Sequence, residues 1–456
     1  MSTYLANPFI RLIVILGLSL VFHAILAPKI KNILIPWSVA FLVLQQNVVP
    51  FIGGFPHFLL MVVYWISMAI VLDGCNVRML QNNKAMFLFG LYWFYMILMS
   101  LASDYVYYAT MYHINAYVEL FLVGYFAGIW VMKTPNGMRR LLFAVAVVSI
   151  FVYATYAKYG FVGMTDHLGR AMLDAELKEQ ELGTNVNAIG LAVAPIFVLM
   201  LIGVVTLQKR GTVPIIRYAF PVSLLVAFYF MIRTGSRNAG LVILPALYFF
   251  FKTRAPGRGS KKFAVAFVLV VGVISVIALF KYQAQSSESG ISRLRIFQLK
   301  GDDMHTDYTL ETMSSGRIST YIEFLRDMNG IDYLIGKGPA ITRNYDGSMF
   351  VSGGMSIYVG TFHNTGIIGV VLMALYFIYM YTFSQKNGNA GKMALLLFAA
   401  WAVTGVAESA GISRGQIMRL VQGMSVAFCS GLPLARKWRY EMNQFGENYG
   451  EQYYGT

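Results

Sequence analysis

The chain has 456 residues, of which 57% are hydrophobic and only 12% charged, with a mean hydropathy of +0.59. A soluble domain carries roughly 25% charged residues, so a water-solvated surface of this size is excluded, and so is a disordered chain. The class that remains is a polytopic membrane protein, in which the net charge of +15 reflects Lys and Arg gathered in cytoplasmic loops.

Apolar runs recur from end to end, at 9–26, 33–52, 56–72, 85–102, 115–132, 139–157, 187–207, 215–232, 238–251, 263–281, 357–383, 393–410 and 416–434. A helix needs about 20 residues to cross about 30 Å of hydrocarbon. The pattern predicts an all-α polytopic membrane fold of about 12–13 transmembrane helices, with a large periplasmic loop carrying short amphipathic helices. The short 238–251 run is expected to extend back through Asn238 and Arg237. The first run lacks a basic flank and a small-residue cleavage site, so it reads as a retained helix and not a signal peptide.

Six regions follow: N-terminal helices over 1–157, an outer loop over 158–186, central helices over 187–281, a large outer loop over 282–356, C-terminal helices over 357–434 and a tail over 435–456. Orientation comes from the cations. Lys29, Lys31, Arg78, Lys84, Lys133, Arg139, Arg140, Lys209, Arg210, Arg217, Lys252, Arg254, Lys386, Lys392, Arg436 and Lys437 fall on one set of alternate connections. That set is read as cytoplasmic. The opposite connections at 53–55 and 103–114 contain no Lys or Arg.

Cys75 and Cys429 lie far apart and form no CxxC pair, so neither a disulfide framework nor a zinc site is expected. No cluster has metal-ligand spacing, and no phosphate-binding Gly-rich Lys loop occurs. Basic runs with interleaved aromatics are missing too, so nucleic acid is not an expected partner.

Four motifs carry candidate chemistry. Arg233-Thr234-Gly235-Ser236-Arg237-Asn238 places two arginines between apolar segments on the outer side. They either snorkel to headgroups or form an anion site, since a guanidinium fork fits phosphate oxygens. Ser314-Ser315-Gly316-Arg317 opens a helix whose Ile318, Tyr321, Ile322 and Leu325 share one face. Arg317 near that N-terminus is either a surface cation or the seat of an anion. In the smaller outer loop, Leu173 and Leu177 predict another short amphipathic helix.

Gly183-Thr184-Asn185-Val186-Asn187 precedes a spanning helix, where the amides either cap the helix or recognise sugar hydroxyls or phosphate. Phe362-His363-Asn364-Thr365-Gly366-Ile367-Ile368-Gly369 enters a later helix. The His363-Asn364 pair is either structural or holds a general base, and the glycines permit close helix packing. Glu119 and Glu408 fall within or near helices, and Asp104, Asp166 and His167 fall on the outer face.

In this order and with these loops, the motifs over roughly 180–385 resemble the O-antigen polymerase and O-antigen ligase superfamily. Asn185 to Gly190, Thr234 to Arg237, Gly316-Arg317, Gly336-Lys337-Gly338 and Gly366 to Gly369 carry the likeness. In many members, especially ligases, the His-Asn pair lies well ahead of the last glycine motif, at a position that falls here near Met355 and Ser356. In this chain it stands immediately before that motif.

The resemblance implies a metal-independent, cofactor-free glycosyltransferase acting on undecaprenyl-pyrophosphate-linked oligosaccharide at the periplasmic face of a bacterial inner membrane. It implies catalytic roles for Arg237, Arg317 and His363, and substrate binding by Arg233, Asn185, Asn187, Ser236 and Asn364. Membrane lipids and a chain-length regulator protein are the implied partners. A polymerase is the first expectation. A glycan ligase and a flippase or transporter of lipid-linked sugars are the alternatives.

Overall fold

The computed structural model describes residues 8–48, 54–73, 83–134, 136–158, 186–206, 214–233, 237–253, 317–343, 349–352, 356–405 and 417–429. The expected span at 263–281, the loop helix near Leu173, the Ser314 and Ser315 cap and the C-terminal tail lie outside them.

The first helices are α1 (Pro8–Ile25), α2 (Pro28–Val48), α3 (Gly54–Leu72) and α4 (Lys84–Met99). α2 begins at Pro28, whose fixed φ and missing N–H suit a first helical position. Lys29 and Lys31 therefore sit in the first turn of α2, not in a loop. Asn83 caps α4 by accepting from the amides of Ala85 and Met86, at 3.0 and 3.2 Å. A 3-10 turn over Ser100–Ala102 closes α4.

α5 runs over Val106–Lys133 with a π turn at Tyr117–Leu122. It begins well before the expected span at 115–132 and takes in most of the expected 103–114 loop. Tyr107, Tyr108, Tyr112 and His113, low in hydropathy, hide this stretch from a plain hydropathy reading. α6 (Gly137–Lys158), α7 (Val186–Thr206) and α8 (Pro214–Arg233) follow. The short apolar run then divides into α9 (Arg237–Leu241) and α10 (Ile243–Thr253).

The next described segment holds α11 (Arg317–Arg326), α12 (Asp332–Ile335) and a hairpin of β1 (Ala340–Arg343) with β2 (Met349–Ser352). The strands are antiparallel, with Ala340 opposite Ser352 and Arg343 opposite Met349. This hairpin joins the helices expected there. The chain ends its described part with α13 (Ile357–Lys386), α14 (Gly388–Thr404) and α15 (Ile417–Phe428).

Among the described residues, α4 with its closing turn, α5, α6 and α13 are long and apolar enough to cross a membrane. Large apolar side chains stand exposed on these and neighbouring helices, among them Leu20, Phe87, Phe94, Phe151 and Leu225. A soluble monomer rarely leaves contiguous apolar surface of this kind uncovered, whereas lipid covers it. The chain is a helical membrane protein.

Inside the bundle, polar side chains bond across helices. Tyr156 Oη donates to Asn47 Oδ1 over 2.6 Å, and Asn47 Nδ2 donates to the Ala192 carbonyl over 3.1 Å. These bonds tie α6, α2 and α7 together where water cannot compete. α15 packs on α5 with backbones in contact: Gly124 faces the Leu420 backbone and Gly423 the Phe121 carbonyl.

Candidate functional site

The site lies where α13 breaks. Gly366 has φ 58° and ψ −159°, so the helix axis is interrupted roughly two and a half turns after its start. The sequence reading gave this glycine to helix packing; instead it takes a backbone conformation that L side chains rarely adopt. A Cβ there would meet the Leu334 carbonyl.

The loop turn after α12 docks on the broken turn. The Lys337 amide donates to the His363 carbonyl over 2.9 Å, and the Gly338 amide to the Asn364 carbonyl over 3.1 Å. Gly336 and Gly338 have φ of 92° and 82°. A Cβ on Gly336 would strike the Asn364 carbonyl, and one on Gly338 the Met99 carbonyl at the end of α4. Tyr95 of α4 donates from its hydroxyl to the Ile335 carbonyl over 2.9 Å. The Gly-Lys-Gly turn is thus wedged between the end of α4 and the break in α13, and only glycine fits its contact points.

His363 is buried within this junction, 2% exposed. Its ring meets Phe324 of α11 edge-on, with centroids 4.9 Å apart. Its Nδ1 lies 3.0 Å from Asn364 Oδ1, which accepts the Nδ1 proton and leaves the Nε2 lone pair available in the neutral ring. Nε2 lies 3.7 Å from Asp327 Oδ2. Asp327 in turn holds Lys337: Nζ is 2.6 Å from Oδ1 and donates to the Asp327 carbonyl over 3.0 Å. The Lys337 hydrogen bond holds the Asp327 carboxyl below the usual carboxylate range, and His363 adds to the effect.

Chemically, this is an imidazole supported by an amide and a carboxylate, an arrangement that can serve a general base. A proton arriving at the neutral ring would bind at Nε2, which faces the Asp327 carboxylate. Asp327 is half exposed while His363 is not, so the imidazole meets the surface on the carboxylate side.

The junction takes in only part of the sequence motifs. His363 and Asn364 sit in it, and Arg317 is the first residue of the helix that presents Phe324. Arg233 ends α8, Arg237 starts α9, and α9 packs on α7 and α14. Asn187 lies in the first turn of α7. Asn185 and Ser236 lie outside the described residues, as do the side chains of Arg233, Arg237, Arg317 and Asn187. Asp327 and Lys337 were not singled out in the sequence, although Lys337 stands inside the noted Gly-Lys-Gly motif.

Of the carboxylates noted in the sequence, Glu119 on the π turn forms a buried ion pair with Arg11 of α1, with the Arg419 guanidinium within electrostatic reach. Asp104 is exposed. Glu408, Asp166 and His167 lie outside the described residues. Among the described residues no three His, Cys, Asp or Glu side chains converge as metal ligands. No protein-family model and no curated protein matches the chain.

Proposed function

We propose that the chain is a membrane glycosyltransferase that polymerises polysaccharide. It moves a growing glycan from one undecaprenyl-pyrophosphate carrier onto the terminal sugar of the next lipid-linked repeat unit, on the periplasmic face. The observation that carries this reading is the seat of His363, a buried imidazole backed by Asn364 and Asp327 at the break in α13, with a loop docked over it.

The reaction joins an acceptor hydroxyl oxygen to the anomeric carbon of the growing chain. The bond from that carbon to the carrier diphosphate breaks, and its electron pair leaves with the diphosphate. The hydroxyl proton passes to His363 Nε2. Negative charge growing on the diphosphate calls for fixed cations, the role given to Arg233, Arg237 and Arg317. Asn185, Asn187 and Ser236 would hold sugar or phosphate oxygens. With the arginines in this role, transfer needs no divalent metal. A chain-length regulator would act from outside the bundle.

Deleting the gene in its host tests the class of activity, with surface glycan and lipid-linked intermediates read by gel and mass spectrometry. A polymerase predicts loss of the polymer ladder, with single repeat units still reaching the surface or held on the periplasmic carrier. Long chains trapped on the carrier would mean a ligase. Single units trapped on the cytoplasmic side would mean a flippase.

A further inference from the structure

At the opposite end of the same two helices, a cavity of about 340 Å³ opens between the start of α4 and the end of α13. Lys84, Tyr379, Thr382, Phe383, Lys386 and Asn387 line it, with Cys429 as its floor. Among the described residues it is lined by two ammonium groups and no carboxylate. Asn387 turns its amide inward, donating to the Phe383 carbonyl over 2.6 Å, and Thr382 donates to the Ile378 carbonyl over 2.9 Å. The exposed lysines are therefore the donors that face an incoming group.

Depth identifies that group. From Gly366 to Lys386 the helix rises roughly 30 Å at about 1.5 Å per residue, which matches the bilayer hydrocarbon. With the break in α13 at one polar boundary, the two lysines sit at the other, level with lipid phosphates. A stripe of exposed apolar residues, Val371, Leu375 and Ile378, runs along α13 and ends at Thr382 on the cavity rim. These positions recur on one helix face. A cationic mouth joined to an apolar stripe fits a molecule with an anionic head and an acyl chain.

We infer that this cavity binds the phosphate headgroup of an anionic phospholipid from the adjoining leaflet, with Lys84 and Lys386 on the phosphate and the acyl chain along Val371, Leu375 and Ile378. Such basic pockets between helices suit anionic headgroups. The site is independent of the glycosyl-transfer reading and stands or falls without it.

The test is native mass spectrometry of the full-length purified protein with added phosphatidylglycerol or phosphatidylcholine. Wild type should retain one phosphatidylglycerol at least tenfold more tightly than phosphatidylcholine. The Lys84→Gln/Lys386→Gln protein should lose that preference, and Lys84→Arg/Lys386→Arg should keep it. Equal retention of the two lipids by wild type, read without any variant, would overturn the proposal, as would an unchanged preference in the Gln protein. Displacement of the lipid by millimolar inorganic phosphate would also overturn it and assign the lysines to a soluble anion.

Discussion

The Gly338 amide donates to the Asn364 carbonyl over 3.1 Å, which fixes the loop turn onto a transmembrane helix at the point where that helix breaks. With the Lys337 amide on the His363 carbonyl, it gives two carbonyls at the break a partner from outside their own helix. Unpaired, those groups would be costly at a membrane boundary. The loop and the broken helix therefore support one another, and His363 stands at their joint.

Gly366→Ala tests that mutual support. A side chain at this φ and ψ, a region essentially confined to glycine, costs about 1–3 kcal/mol, and this one also strikes the Leu334 carbonyl. Faster protease cleavage within 317–343 is expected, with the protein still in the membrane. Unchanged cleavage would separate the break from the docking.

Asp327→Asn removes the charge shared by Lys337 and His363. On the proposed mechanism, transfer falls about 100-fold, the low end for general acid–base catalysis, while binding of the lipid-linked unit is kept. Loss of binding with turnover unchanged would move Asp327 out of the proton-transfer apparatus.

Acid should loosen the same joint. The Asp327 carboxyl has a lowered pKa, so its stabilising effect is complete above the free-carboxylate value of about 3.9 and is lost as pH falls through the lowered one. Hydrogen exchange over 327–338 should accelerate on that acid limb in wild type. In Asp327→Asn it should already be fast, with no step in this range. A step of the same size in both proteins would assign the acid effect to another group.

Arg237→Ala should abolish chain elongation at normal membrane levels, and Arg237→Lys should impair it, because a point charge lacks the fork that fits phosphate. Full-length polymer in the Ala protein would remove Arg237 from the mechanism. Activity should persist in chelator; loss restored by a divalent cation would contradict charge stabilisation by arginine alone.

Glu119→Gln leaves the Arg11 guanidinium without its carboxylate in the bundle. Removing one partner of a buried pair costs about 3 kcal/mol, so the thermal midpoint in detergent should fall. Arg11→Met/Glu119→Leu should recover part of the loss, since Arg11 is no longer stranded while Arg419 still loses a nearby carboxylate. A larger loss in the double variant would mean the pair serves more than packing.

Much of this arrangement could be read along the chain. Runs of apolar residues long enough to span lipid must be helical there, which places α1 to α4 and α13 within a few residues. The His363-Asn364 pair and the Gly-Lys-Gly motif were visible as motifs. Their contact was not, because it joins residues far apart in sequence through backbone bonds that leave no side-chain pattern. Asp327 resembled any exposed loop carboxylate until Lys337 and His363 were seen beside it. The hairpin has a signal in the sequence: Asp346-Gly347 stands between the β-prone Ile341-Thr342 and Phe350-Val351. Gly366 resembled a packing glycine because φ is not written in a sequence.

The most direct test of the central claim is chain growth by purified protein in liposomes, using lipid-linked single units extracted from the deletion strain. Wild type should build a ladder of lengths on the carrier and release carrier diphosphate, while His363→Ala binds the units and builds none. A full ladder from His363→Ala, or none from wild type with intact units, would contradict the account.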